Sequence, residues 1–394
     1  MRLLNRGLSA GWLLLAAACT GRHLGVEKGV LPRPGIDEAE SDIVPGVPEP
    51  SETAVRAAVG KAHAVLWKGI EGHAAHRSCF TCHTHGAPML AFATARGRGF
   101  AVPEKELADL IEFSTAYFES NREGFVRGRG PGPLGLGGAT DTTGWGLFAL
   151  SAAGKEPDET TAAVVEYTLQ RDHDCDHWTT WGPSRPPAEG SAFMPTALAI
   201  HGLQAFGLPE HRERIAERVE AARGWLLKTP AQDTEDRVFR LLGLRAAGAP
   251  AKDVRRAAED LARTQRPDGG WGQTDEAASD AYATGSALAV LHMSGDMPVT
   301  DPVYRRGVAY LLRTQLDDGS WRVRSHSFPV QPYYESGFPH GRSQFISAAA
   351  TGWAATALAL ACPLVSPSTR LAGSPDEVPH RPGSVRHPDA ADRE

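Results

Sequence analysis

Five consecutive residues, Cys79-Phe80-Thr81-Cys82-His83, carry the most specific chemistry in the chain. Cys-x-x-Cys-His is the pattern that holds a c-type haem: two thioethers to the porphyrin and the adjacent histidine on the iron. The expectation is a covalent haem c on Cys79, Cys82 and His83, with His83 bound to the haem iron and electrons passing to a redox partner protein. Two other chemistries suit the same stretch. Cys79, Cys82, His83 and His85 have the types to clip a zinc ion, and Cys79 with Cys82 can close a disulfide in an oxidising compartment. A second axial ligand must reach the opposite haem face, for which His85 and Met89 sit too close to His83 along the chain. The 25-residue stretch between Trp321 and Ser347 is aromatic and bounded by Gly and Pro, with the look of a lid. Its His340 is the candidate distal ligand or mouth residue. Asp172-His173-Asp174-Cys175-Asp176-His177 alternates metal-binding types, and reads equally well as a solvated polar turn.

Two further stretches bear on proton chemistry. Asp141 lies in Ala139-Thr140-Asp141-Thr142-Thr143-Gly144, and Glu235 in Asp233-Thr234-Glu235-Asp236. A buried carboxyl flanked by other carboxyls is held protonated and can act as a general acid. The plainer reading of the second stretch is a helix start, with Asp233 or Thr234 as N-cap and first-turn acids opposing the dipole.

These residues need a scaffold, and the composition allows one. Of 394 residues, 41% are hydrophobic and 22% charged, enough for a real core. Lys plus Arg number 41 against 47 Asp plus Glu, a net charge of −6 with no basic tract, which argues against nucleic-acid binding. Five cysteines are too few for a disulfide scaffold of this length. At the N-terminus, Arg2 and Arg6 precede an apolar run from Leu8 to Ala18, too short to span a bilayer but suited to a secretory signal. Residues 1–19 are therefore expected to be a signal for export to the periplasm or cell envelope. Cleavage would follow Ala18, or Cys19 would carry a lipid anchor, although Ala16 stands where a lipoprotein signal has Leu. Residues 20–52 read as a Pro- and Gly-rich linker, and 363–394 as a disordered tail.

Between these ends, from 53 to 362, two kinds of helical segment alternate. Amphipathic, charged stretches are Thr53–His76, Pro103–Arg122, Asp158–Arg171, Glu210–Lys228, Ala251–Gln265 and Pro302–Gln315. Small, apolar stretches are Ala87–Ala95, Thr142–Ala153, Thr196–Phe206, Arg237–Ala247, Tyr282–Met293 and Ser347–Ala361. A helix apolar on every side is buried on every side, so six outer helices surround six inner ones. The fold expected is all-α, an α/α toroid, as a monomer. Its turn chemistry repeats: Gln265 to Trp271 through Asp268-Gly269 is echoed by Gln315 to Trp321 through Asp318-Gly319, with Gln170 to Trp178 as a degenerate third copy.

These Gln…Asp-Gly-x-Trp turns resemble the QW motifs of terpenoid cyclases, and the helix alternation resembles the α/α toroid of squalene–hopene cyclases and protein prenyltransferase β subunits. The resemblance runs from about residue 53 to 362 and implies an apolar central cavity for an isoprenoid-like ligand. Squalene-cyclase-type enzymes protonate an alkene with the middle Asp of Asp-x-Asp-Asp-Thr-Ala. Aligning Thr196-Ala197 on that motif puts Ala192 to Pro195 where the acids belong, and Asp280–Gly285 keeps only its first acid. By this resemblance Glu235, in the proton donor's place, and Asp141 are the catalytic candidates. The zinc of a protein prenyltransferase is not implied, because Ala283 replaces its histidine and no cysteine is near. The expectation formed here is an exported haem c toroid with a redox or apolar-ligand role, the alternatives being a cyclase with a degenerate acid motif or a non-catalytic lipid- or protein-binding toroid.

Overall fold

The computed structural model describes residues 50–131, 139–180, 185–187, 189–327 and 332–364. The signal-like segment with Cys19, the linker up to 49 and the tail from 365 lie outside the described residues. Outer and inner helices alternate along the chain. They run α1 (Glu52–Ala74), α2 (Ala87–Arg96), α3 (Glu104–Ser120), the short α4 (Arg122–Val126), α5 (Ala139–Ala152) and α6 (Glu159–Gln170). Then come α7 (Phe193–Phe206), α8 (Arg212–Lys228), α9 (Thr234–Ala246), α10 (Ala251–Ala262), α11 (Ala281–Met293), α12 (Pro302–Thr314) and α13 (Gln344–Leu360). The inner helices form a closed ring: α2 packs on α5, then α7, α9, α11 and α13 follow, and α13 returns to α2. The outer helices lie over the seams, as α10 does against α9 and α11. α1 touches α13, α2 and α12, so the first helix closes the circle. The fold is an α/α toroid.

The two layers follow from their sequences. On α10 only the stripe Val254, Ala257, Ala258 and Leu261 is buried, whereas on α11 every residue from Ala281 to Leu291 is. Small residues let the inner helices approach closely. A Cβ on Gly285 would come within 2.6 Å of the Ala354 backbone nitrogen on α13.

The repeated turns lie where an outer helix ends and an inner one begins. Gln265 Nε2 donates to the Gly269 carbonyl in its own turn at 2.9 Å and to the Val303 carbonyl of α12 at 2.8 Å. Gln315 does the same with Gly319 at 3.0 Å and Ala58 of α1 at 2.8 Å, tying the last outer helix to the first. Trp271 and Trp321 are buried, and their indole N–H groups donate to the carbonyls of Leu261 and Leu311. Gly319 holds φ +89°, and a Cβ there would sit 2.4 Å from the Lys61 carbonyl, so the turn requires glycine twice over. The third turn keeps the tryptophan: Trp178 donates to the Thr168 carbonyl, as its counterparts do. It lacks the glutamine tie, because Gln170 bonds its own neighbour Glu166. Arg218 of α8 instead stacks on Trp178 and donates to the carbonyls of Arg171, Asp172 and Cys175.

Four inner helices (α5, α7, α9 and α13) begin one turn earlier than their apolar patterns indicate, at 139, 193, 234 and 344 rather than 142, 196, 237 and 347. In α5, α9 and α13 those first turns hold polar residues (Thr140 and Asp141, Thr234 to Asp236, Gln344) that read as loop yet are buried. Among the described residues no helix is long and apolar enough to cross a membrane.

Candidate active site

A cavity of about 510 Å³ opens at the N-terminal ends of the inner helices. Its walls are aromatic: Trp145 of α5, Tyr282 of α11, and Phe345 and Trp353 of α13. Trp145 and Trp353 meet edge to face at 5.6 Å, and Trp145 Nε1 is satisfied by the Met194 sulfur at 3.4 Å. Trp353 Nε1 is buried with no partner. In the link after Trp321, Tyr333 lines the cavity mouth. Ser336 lies so close to α1 that a Cβ on Gly72 would meet its carbonyl, and Phe338 packs on Gly69.

Glu235 stands behind this wall. Asp233 caps α9 by accepting from the Asp236 backbone at 2.9 Å, and Asp236 accepts from the Gln232 backbone at 2.8 Å. The capped helix start is therefore real, but it accounts for the two aspartates only. Glu235 turns inward, is 3% exposed, and accepts a hydrogen bond from the Tyr282 hydroxyl at 3.1 Å. Burial drives its carboxyl well above the usual range, and the charges of Asp233, Asp236 and Asp280 push the same way against the opposing bond from Tyr282. Both influences favour the protonated form of the carboxyl. Tyr282 is the group that carries this acid to the cavity surface. Tyr282 bears no carboxyl, so a search of the sequence for acids passes it over.

Asp141 is also buried, in the first turn of α5. Burial and the nearby Glu189 charge raise its carboxyl to about 8, only partly offset by Arg185, and its Oδ1 has no partner. Arg185 itself is bound by Glu189 through both its Nε and a terminal nitrogen.

The Cys-x-x-Cys-His residues divide. Residues Cys82–Gly86 form one π-helical turn, capped by the Thr81 side chain, which accepts from the Thr84 backbone. This turn sends Cys82 and His83 to the cavity. His83 packs against Phe345 with centroids 4.9 Å apart, its Nε2 is buried without a partner, and burial depresses it to about 3. Cys82 is pushed up to about 12 by burial, so it is a thiol rather than a thiolate. Cys79 does not line the cavity. Its sulfur lies 3.9 Å from His73 Nε2, and His73 in turn bonds the Cys79 carbonyl at 2.9 Å and the Tyr334 hydroxyl at 2.6 Å. This arrangement does not fit a haem tethered by both thiols, since only one thiol faces the space that His83 faces. His85, stacked on Phe113 at 4.8 Å, has its Nδ1 bonded to the Thr81 backbone. Among the described residues no group of three or more His, Cys, Asp or Glu is placed to hold a metal ion, so the zinc clip of Cys79, Cys82, His83 and His85 is not assembled.

His340 lies away from the cavity lining. Its φ of +83° turns the ring toward the last QW turn, where Nε2 meets the Ser320 hydroxyl at 2.7 Å, and it does not line the cavity. The Asp172 to His177 stretch is a polar turn: Asp172 accepts from the Thr179 backbone and hydroxyl, and His177 stacks on Trp225 at 4.3 Å. Cys362 is a free thiol, so no bond joins it to Cys175.

Comparison with known proteins agrees with this geometry. The family model described as the squalene–hopene cyclase C-terminal domain matches residues 201–371. The squalene–hopene cyclase of Bradyrhizobium diazoefficiens is 35% identical over 125 residues, covering 27% of this chain and 18% of that enzyme. Drimenyl diphosphate synthase of Streptomyces showdoensis is 32% identical over 138 residues, covering 32% of this chain and 26% of its own. The matched stretches thus span under a third of the relatives' length. The type II terpene cyclase MstE from Scytonema, in complex with merosterolic acid A as product, superposes with a TM-score of 0.53 at 15% identity, covering 79% of this chain and 97% of that one. With geranylgeranyl dihydroxybenzoate as substrate the TM-score is 0.52 at 16% identity, with the same 79% and 97% coverage. The chain has the terpenoid-cyclase toroid, and its C-terminal half is similar in sequence to squalene–hopene cyclases.

Proposed function

We propose that the protein is a terpenoid cyclase, which folds an isoprenoid chain in the central cavity and starts cyclisation by protonating an alkene. One observation carries the reading: Glu235, buried and with its carboxyl driven well above the usual range, is hydrogen-bonded to Tyr282, whose ring lines an aromatic cavity. The Tyr282 hydroxyl, which rests donating to Glu235, turns to give its proton to the alkene carbon and takes the proton of Glu235 in exchange, leaving the Glu235 carboxylate and a tertiary carbocation. Loss of a proton from the cyclised cation restores the acid, so the reaction is an isomerisation that needs no co-reactant. Trp145, Trp353 and Phe345 offer ring faces that favour the migrating positive charge without trapping it as a nucleophile would. Cyclase structures that hold a geranylgeranyl substrate or its product in the same fold support a ligand of this class.

The test is incubation of the purified protein with squalene and with geranylgeranyl substrates, followed by product analysis. Glu235→Gln keeps the shape and removes the proton, and should lower turnover roughly 100- to 10,000-fold; Tyr282→Phe should do the same. Full activity in both variants would remove these residues from the chemistry. Tight isoprenoid binding without any product would instead make the toroid a carrier. A covalent, Soret-absorbing species in wild-type protein matured alongside a control cytochrome, lost in Cys82→Ala, would favour the haem-linked redox role over cyclisation.

A further inference from the structure

The cavity mouth carries three arginines that the proton chemistry does not use. In the extended segment after the last QW turn, Trp321 and Val323 point into the core, while Arg322 and Arg324 point out and line the mouth. Arg342, at the start of the short turn before α13, joins them. Among the described residues none of the three has a carboxylate within 4.0 Å, whereas Arg185 on the same mouth is bound by Glu189. Two further acids lie near the mouth: Asp141, whose carboxyl burial raises to about 8, and Glu335, which accepts from the Tyr333 hydroxyl and makes no ion pair with the three arginines. A chain of net charge −6 thus concentrates three unpaired guanidinium groups at the opening of its one aromatic cavity among the described pockets.

We infer that the ligand is an isoprenoid diphosphate, with its tail against Trp145 and Trp353 and its head group on Arg322, Arg324 and Arg342. Guanidinium forks match phosphate oxygens two at a time, and three of them balance the charge of a diphosphate. The apolar depth and the cationic rim together select an amphiphile with one anionic end. A wholly apolar chain would leave the arginines without a role. This inference rests on the isoprenoid reading above, and adds the head group.

Binding can be read from quenching of the cavity tryptophans, independently of turnover. The probes are geranylgeranyl diphosphate, geranylgeraniol and inorganic pyrophosphate, at low and high salt. The diphosphate should bind at least about 10-fold tighter than the alcohol at low salt, with the margin shrinking as salt screens the rim. Arg322→Gln, Arg324→Gln and Arg342→Gln combined should erase that margin and leave the affinity for the alcohol unchanged, and Glu235→Gln should preserve it. The unfolding midpoint of the triple variant should match wild type, because the three exposed side chains make no ion pair. Equal binding of alcohol and diphosphate by wild type would overturn the inference while leaving the isoprenoid reading intact, as would a margin that survives the triple substitution. Binding of pyrophosphate but of neither isoprenoid would keep the anion site and reject the isoprenoid. No binding of any probe would reject both.

Discussion

The rim of the toroid and its centre are built from the same turn-to-helix junctions but obey opposite rules. At the rim the motif's donors are paired: Gln315 Nε2 makes two bonds, and the backbone and indole N–H groups of Trp321 each make one. At the centre, Asp141 Oδ1, His83 Nε2 and Trp353 Nε1 are buried with no partner, and burial and the charges of three aspartates push the Glu235 carboxyl well above its usual range. An unpaired buried polar group costs about 1–3 kcal/mol, so a fold keeps several together only where something else selects for them. The rim is arranged for stability and the centre for a ligand.

That contrast can be attacked from either side. The largest effect is expected at the rim. Trp321→Ala empties a buried site between the end of α12, where the indole bonds Leu311, and the middle of α13, where the backbone bonds Thr351, and should cost about 3–5 kcal/mol in chemical unfolding. A loss under about 1 kcal/mol would mean that the repeated turns do not hold the ring.

A smaller effect, visible only against pH, is expected at the centre. Asp141 takes up its proton near pH 8 in the folded chain but near its ordinary value of 3.8 when unfolded. Below 3.8 both states are protonated and its contribution is fully present; as pH rises toward 8 the unfolded state gains by ionising and stability is lost. Asp141→Asn should flatten the decline between pH 5 and 8 by a difference on the order of 2 kcal/mol. His83 acts in the other window, losing stability as pH falls from 6.5 toward 3 because burial opposes its charging. An unchanged slope in Asp141→Asn would show that this carboxyl is solvated.

The rim was legible in the sequence because its rules are local. Gln, Asp-Gly and Trp recur at fixed offsets, and a left-handed glycine against the next outer helix can be only glycine. The third turn shows the limit of that reading: Trp178 keeps its bond, but the tie to the next helix comes from Arg218, 46 residues beyond Asp172. The centre was legible only in part. Glu235 was placed by resemblance, yet its burial comes from α11, 47 residues away at Tyr282. The polar first turns of α5, α9 and α13 look like loop because their burial comes from the ring and not from their own periodicity. Cys79 and Cys82 look like one site in sequence, but the π-helical turn sends them to different neighbours. His340 looked like a mouth residue until the backbone at φ +83° aimed it at Ser320. The alternation of Arg322 and Arg324 with buried Trp321 and Val323 is not legible in a stretch bounded by Gly and Pro, because it is set by the core those two residues enter.

The central claim is that Glu235 is a neutral acid held behind the cavity wall. Infrared difference spectroscopy on the intact protein at pH 7 reads this directly, through the carbonyl stretch of a protonated carboxylic acid. Wild type should show such a band, which disappears in Glu235→Gln, is perturbed by Tyr282→Phe, and is distinct from the band lost in Asp141→Asn. Loss of carboxylate bands in Glu235→Gln, with no change in the protonated region, would contradict it.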